Sequence, residues 1–143
     1  MLKGIAPCIS PELLYELAKM GHGDELVLSD AFFPANSVNS KVLRADGIKV
    51  AELIDGILSL INADEYVDSP FIMMEVVKGD TPDLAVEADY QAAIDRHTTV
   101  NKIGKIGRFE FYERAKTASL VVVTGEVRKY GNIIIKKGVT NYK

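Results

Sequence analysis

Chemistry by proton transfer needs a side chain that gives and takes a proton near neutral pH, and histidine is the residue type suited to it. The chain holds two histidines. His22 lies in Gly21-His22-Gly23-Asp24, just past an expected helix end. Flanking glycines let the backbone take positive φ and let a ligand approach closely. The negative end of the helix dipole favours a protonated imidazole, and a nearby carboxylate, Asp24 or Asp30, does the same. His22 is therefore the candidate general acid. The plainer reading is a capping or surface histidine. His97 stands beside Arg96 on a charged helix end and reads as solvated.

Asp30 closes the short apolar run Glu25-Leu26-Val27-Leu28-Ser29. Ligands of open α/β sheets sit at the carboxyl ends of strands. A carboxylate there can accept two hydrogen bonds from sugar hydroxyls; an Asp after a strand is also a turn former. Arg108, in Gly107-Arg108-Phe109, offers a fork of donors to a hydroxyl-rich ligand or to a surface carboxylate. Tyr130-Gly131-Asn132 reads as a turn between strands, where Tyr and Asn can present hydrogen-bonding groups and where Gly and Asn also serve turn geometry alone. Phe111 and Tyr112 read as core aromatics. His22, Asp24 and Asp30 could also be gathered as a metal site, a weaker reading.

Several chemistries have no support. Gly21-His22-Gly23 follows a helix and precedes a strand, the reverse of a dinucleotide fingerprint, and its third glycine is missing. No phosphate loop, nucleophile elbow or His-Glu-x-x-His occurs. Net charge is −3, mixed in sign along the chain, so no broad attraction to nucleic acid or an anionic membrane is expected. Cys8 is the single cysteine; it excludes an internal disulfide and reads as a small apolar filler in a reducing compartment. No stretch approaches the ~20 apolar residues of a membrane span or forms a signal peptide, so a cytoplasmic location is expected.

The elements that must position these residues alternate in type, the pattern of an α/β layer fold. Ser10 as N-cap, Pro11 at the first position and Leu13, Leu14, Leu17 and Ala18 at helical spacing predict a first helix that Gly21 ends. Strands are expected at 25–29, 71–77, 119–124 and 132–135, and helices at 49–62, 83–97 and 109–116. Pro34 and residues 36–40 read as loop. The 143 residues, 48% hydrophobic and 26% charged, suit one domain over 1–143.

Taken in order, Leu2-Lys3-Gly4-Ile5, Ser10-Pro11-Glu12-Leu13-Leu14, Met20-Gly21-His22-Gly23-Asp24-Glu25 and Asp30-Ala31-Phe32-Phe33-Pro34 form the first half of a pattern. Arg108-Phe109-Glu110-Phe111-Tyr112-Glu113-Arg114-Ala115, Thr124-Gly125-Glu126 and Tyr130-Gly131-Asn132 through Val139 complete it. This pattern resembles the fucose mutarotase and ribose pyranase family over nearly the whole chain. The resemblance implies a three-layer α/β/α sandwich that interconverts ring and anomeric forms of free monosaccharides without cofactor or metal. It implies His22 as proton donor, and Asp30, Arg108, Tyr130, Gly131 and Asn132 as the sugar-binding set. It also implies a homo-oligomeric ring, usually a decamer, with sites near subunit interfaces. The ribose-acting branch carries histidine where Arg108 stands, so Arg108 points to L-fucose. The alternatives are a ribose pyranase or other monosaccharide mutarotase, and a non-enzymatic sugar-binding module on the same fold. The group that takes the second proton is left open between Tyr130, Asp30 and water.

Overall fold

A computed structural model describes residues 1–142. In chain order the elements are α1 (Pro11–Lys19), β1 (Glu25–Ser29), α2 (Ala35–Val38), β2 (Val42–Ala45), α3 (Val50–Leu58), β3 (Phe71–Met74), α4 (Leu84–Asp95), β4 (Ile103–Ile106), α5 (Arg108–Thr117), β5 (Leu120–Thr124) and β6 (Ile133–Lys136). The strands form one sheet in the order β2-β5-β1-β6-β3-β4. β1, β2 and β5 run parallel, as do β3 and β4, and β6 lies antiparallel between β1 and β3. All five other strands therefore point the same way, and β6 alone runs back.

Side chains alternate across a strand, and here both faces are apolar. Leu26, Leu28, Leu120, Val122, Ile133 and Ile135 pack against α1, α3 and α4 through residues such as Leu17, Leu53, Ile57 and Ile94. Val27, Val121, Val123 and Ile134 face Phe33, Ala35, Phe111 and Ala115 on the side of α2 and α5. The expected α/β/α layering is the layering observed. No described helix is long and apolar enough to cross a membrane.

The first helix starts as its sequence directs: the Leu13 N–H donates to Ser10 Oγ at 3.1 Å. It ends differently from expectation. Met20 turns the chain extended, and it is Gly23, not Gly21, that takes positive φ (86°). Gly21 instead donates its N–H to Asp24 Oδ2 at 2.7 Å, closing the His22 turn by a side chain.

Two strands and one helix were not expected. β2 and β4 are the sheet's two edges and are only partly buried, and α2 is a single turn inside the expected loop. α3 stops at Leu58 rather than Asn62, because the chain must turn for Ala63 to bridge Lys137 beside β6. β3 stops at Met74; beyond it only Glu75 still donates its N–H to Ile106 O, at 2.8 Å.

Asn39, buried after α2, completes the end of α5. Its Nδ2 donates to the carbonyls of Ala115 and Ala118, both at 2.9 Å, and its Oδ1 accepts from the Lys41 N–H. Asn39→Ala strands these groups and is expected to cost about 1–3 kcal/mol. A urea-unfolding midpoint equal to the parent's would show that water serves those carbonyls instead.

Candidate active site at the carboxyl edge of the sheet

The strand directions decide which residues can meet. The ends of β1, β3, β4 and β5 and the start of β6 share one edge of the sheet. Asp30 follows β1, Arg108 opens α5 directly after β4, and Tyr130-Gly131-Asn132 leads into β6. Asp30, Arg108, Tyr130 and Asn132 line one pocket of about 280 Å³, walled by Phe33, Met74 and Tyr112. That volume lies near the small end of ligand pockets, ~300 Å³.

Asp30 is buried and fixed from three sides. Its N–H donates to Asn132 Oδ1 at 2.8 Å, Asn132 Nδ2 donates to its Oδ2 at 3.1 Å, and the Phe32 N–H donates to its Oδ1 at 2.9 Å. Burial raises the pKa of this carboxyl above its ordinary value, and the donors from Phe32 and Asn132 only partly offset it. Arg108 is exposed at the mouth, its guanidinium carbon 4.9 Å from the Phe109 ring centroid. The aromatic face and the fork together hold a donor array over the opening.

The Tyr130 turn rests on a buried charge cluster. Among the described residues Tyr130 is the single non-glycine with positive φ, 59°. Beneath it Tyr90 Oη donates to Gly131 O at 2.8 Å. A Cβ on Gly131 would stand 2.8 Å from Glu126 Cγ and 3.0 Å from Tyr90 Oη, so the turn can only descend this far with glycine. Glu126 is fully buried and pairs with Arg128, whose Nε and Nη2 donate to its two oxygens at 2.9 and 2.8 Å. Arg128 holds the Glu126 carboxyl below the usual range in spite of its burial.

His22 is not at this pocket. It precedes β1, on the opposite edge of the sheet, and the four rises of β1 alone put ~13 Å between the two ends. The expectation that Asp30 neighbours His22 is therefore corrected: within one chain they are apart, and His22, Asp24 and Asp30 are not gathered. The carboxylate that meets His22 is Asp64, with Oδ1 3.2 Å from His22 Nε2. Burial raises the Asp64 pKa, but the Tyr66 N–H and His22 outweigh it and leave it below the ordinary value. Tyr66 also packs on the imidazole, ring centroids 5.5 Å apart. The His22 side chain is 47% exposed. His97 pairs with Asp55 at 2.7 Å and lines a small cavity with Asn62, Ala63 and Glu65, outside the pocket of Asp30. Asp64 and Asp80 escaped sequence reading, and Glu126 stood there only within the family pattern, since each finds its histidine, tyrosine or arginine partner through the fold or a tight turn rather than through a motif.

A sheet-edge pocket with a buried carboxylate, an amide, a phenol and a guanidinium against apolar walls defines a protein built to hold a small, hydroxyl-rich molecule. Residues 3–140 match the RbsD / FucU transport protein family, and the chain belongs to that family. A relative from Actinobacillus pleuropneumoniae serotype 5b, an L-fucose mutarotase, is 62% identical over 100% of both chains. One from Histophilus somni strain 2336, also an L-fucose mutarotase, is 58% identical over 100% of both. The crystal structure of the fucose mutarotase from Streptococcus pneumoniae in complex with L-fucose is 46% identical, covers 98% of this chain and 100% of its own, and superposes with a TM-score of 0.92. Bacillus subtilis RbsD, solved with D-ribose, shares the fold at 20% identity over 99% and 100% of the two chains, with a TM-score of 0.76.

Proposed function

We propose that this protein is an isomerase that interconverts the α and β anomers of free L-fucose, residues 1–143 forming one sugar mutarotase domain in the cytoplasm. The observation that carries the reading is the pocket itself: Asp30, Asn132, Tyr130 and Arg108 offer hydrogen bonds of both polarities beside the apolar wall of Phe33 and Tyr112. A pyranose with one apolar face and a ring of hydroxyls matches that lining. The full-length likeness to L-fucose mutarotases supports the choice of sugar.

Anomer exchange needs a proton delivered to the ring oxygen and one removed from the anomeric hydroxyl. The C1–O5 bond breaks, C1=O1 forms, the aldehyde rotates, and the steps reverse. In this reading His22 donates to the ring oxygen, and Asp30, Arg108, Tyr130, Gly131 and Asn132 bind the sugar. His22 reaches the pocket from a second copy of the chain. Two observations support this: the half-exposed imidazole at one sheet edge and the pocket at the other, and the exposed aromatic rims Phe32 (76%) and Phe109 (73%), which a neighbouring copy would cover. The resulting assembly is a homo-oligomeric ring, a decamer.

Saturation transfer between the anomeric protons of L-fucose tests the reading. Catalytic amounts of protein are expected to raise the exchange rate well above solvent, and to do less for D-ribose. Sugar binding without faster exchange would sink the enzyme reading and favour a binding module.

A further inference from the structure

Asp80 lies on the segment between β3 and α4, lines the same pocket, and has no role in the reaction as described above. Tyr130 Oη donates to Asp80 Oδ2 at 2.8 Å. The Val77 N–H donates to the same phenol oxygen at 3.3 Å. The other carboxylate oxygen, Oδ1, accepts the Thr81 N–H at 2.8 Å and faces Lys129 Nζ at 3.5 Å. A phenol has one hydrogen and two lone pairs. Here the hydrogen is committed to Asp80 and one lone pair to Val77, which leaves the second lone pair as an acceptor. The left-handed backbone of Tyr130 is the strained conformation that brings the ring to this position.

We propose that Asp80 is a positioning residue that fixes the polarity of the Tyr130 phenol, so that Tyr130 meets the sugar as a proton acceptor and provides the exit for the anomeric proton. This rests on the mutarotase reading. The step balances: the O1–H proton moves to the phenol oxygen, the phenol's own proton passes to Asp80, C1–O5 breaks as C1=O1 forms, and the ring oxygen takes the proton of His22. Ring closure returns each proton. Asp30 already accepts one hydrogen bond on each oxygen, from Phe32 and Asn132, and its remaining lone pairs are left to hold the sugar hydroxyls. The donors from Tyr130 and Thr81 hold the Asp80 carboxyl below its ordinary value, which keeps it ionised and accepting from the phenol at neutral pH and makes it a weak base that returns the proton at ring closure.

Asp80→Asn is a near-isosteric test. Its Oδ1 keeps the Thr81 N–H, so the loop keeps its shape, while the amide NH₂ now faces the phenol. The phenol must then accept from residue 80 and turn its hydrogen toward the sugar. For L-fucose, D80N is expected to lower kcat about 10–100-fold with KM within about threefold. Tyr130→Phe is expected to lower kcat similarly, and the double variant D80N/Y130F to be no slower than Y130F, because Asp80 acts through the phenol. A parent protein that leaves exchange at the solvent rate overturns the mutarotase reading and this assignment with it. An active parent matched by D80N, a D80N defect confined to KM, or effects of D80N and Y130F that multiply, each overturns the Asp80 assignment alone.

Discussion

His22→Ala is expected to bring L-fucose anomer exchange back near the solvent rate, a loss of about 10²–10⁴ if a positioned general acid supplies the acceleration. Binding should persist, because at the other sheet edge Asp30 and Asn132 hold each other and Tyr130 is held by Asp80, all without His22. Ligand-observed NMR on the same sample separates the two: L-fucose should still bind while its anomers exchange slowly. Retained exchange in the variant would remove His22 from the reaction. A site shared between copies, as proposed, makes a stronger demand. His22→Ala and Asp30→Asn should each be inactive alone. Dissociated, mixed in equal amounts and reassembled, they should recover up to about a quarter of the parent rate, since random pairing joins an intact His22 to an intact Asp30 at about one site in four. A mixture that stays silent would refute a site built from two chains.

Asp64 refines this expectation. It is buried behind the half-exposed imidazole and accepts the Tyr66 N–H, at 3.0 Å, with the same oxygen that meets His22. A carboxylate so placed holds the ring in one orientation, which the proposed proton donor needs. The ionised Asp64 persists below the usual carboxylate range, so loss of this support belongs to strongly acidic solutions.

What the sequence made legible follows from where each signal is stored. The Ser10 cap, the buried runs of β1 and β5, and the apolar stripe of α3 are local patterns, and each appears where its pattern lies. The edge strands escaped because an edge needs no continuous apolar run: Arg44 and Lys105 stand exposed in β2 and β4, and Gly104 has no side chain to signal a face. The pocket residues Asp30, Arg108, Tyr130 and Asn132 were each visible, and the parallel strands bring them together. The relation of His22 to Asp30 was misread although the strand expected at 25–29 already separates them. Eight residues apart, they look like neighbours, and only the knowledge that one extended strand fills the interval shows that they face opposite edges. Asp64 is 42 residues from His22, and the antiparallel return of β6 is what seats the segment after α3 beside the His22 turn: Gly23 donates to Lys137 O at 2.9 Å and Asp64 to Lys136 O at 2.9 Å.

The largest stability effect is expected at Glu126. Its carboxylate is fully buried, takes the Arg128 side chain on both oxygens and the Arg128 N–H at 3.0 Å, and its own carbonyl accepts the Ala31 N–H at 2.8 Å beside Asp30. It thereby ties the Tyr130 turn to the end of β1. Glu126→Ala leaves Arg128 with Asp89 alone, at 2.7 Å, and opens a void under Gly131. Breaking a buried pair from one side costs about 3–5 kcal/mol, and the partly exposed Arg128, still on Asp89, puts this variant at the lower end of that range. Glu126→Gln keeps the shape and loses the charge, so its cost should be smaller and should depend on pH. The folded Glu126 pKa is depressed below the ordinary 4.5, so the ion pair's stability is present above that value and is lost as pH falls through the lower folded value. Asp30 works the other way: its raised pKa favours the folded state when protonated, and that gain disappears as pH rises through the folded value. The gap in unfolding free energy between the parent and E126Q should thus be full at pH 7 and shrink toward pH 3; Asp30 cancels only in part, because the Glu126 charge is one of the causes that raise its pKa and E126Q removes it. Denaturant unfolding of the two across that range measures it. A gap that stays constant with pH would mean the ionised carboxylate contributes nothing beyond its shape, and that hydrogen bonds an amide can also make are what hold the Tyr130 turn.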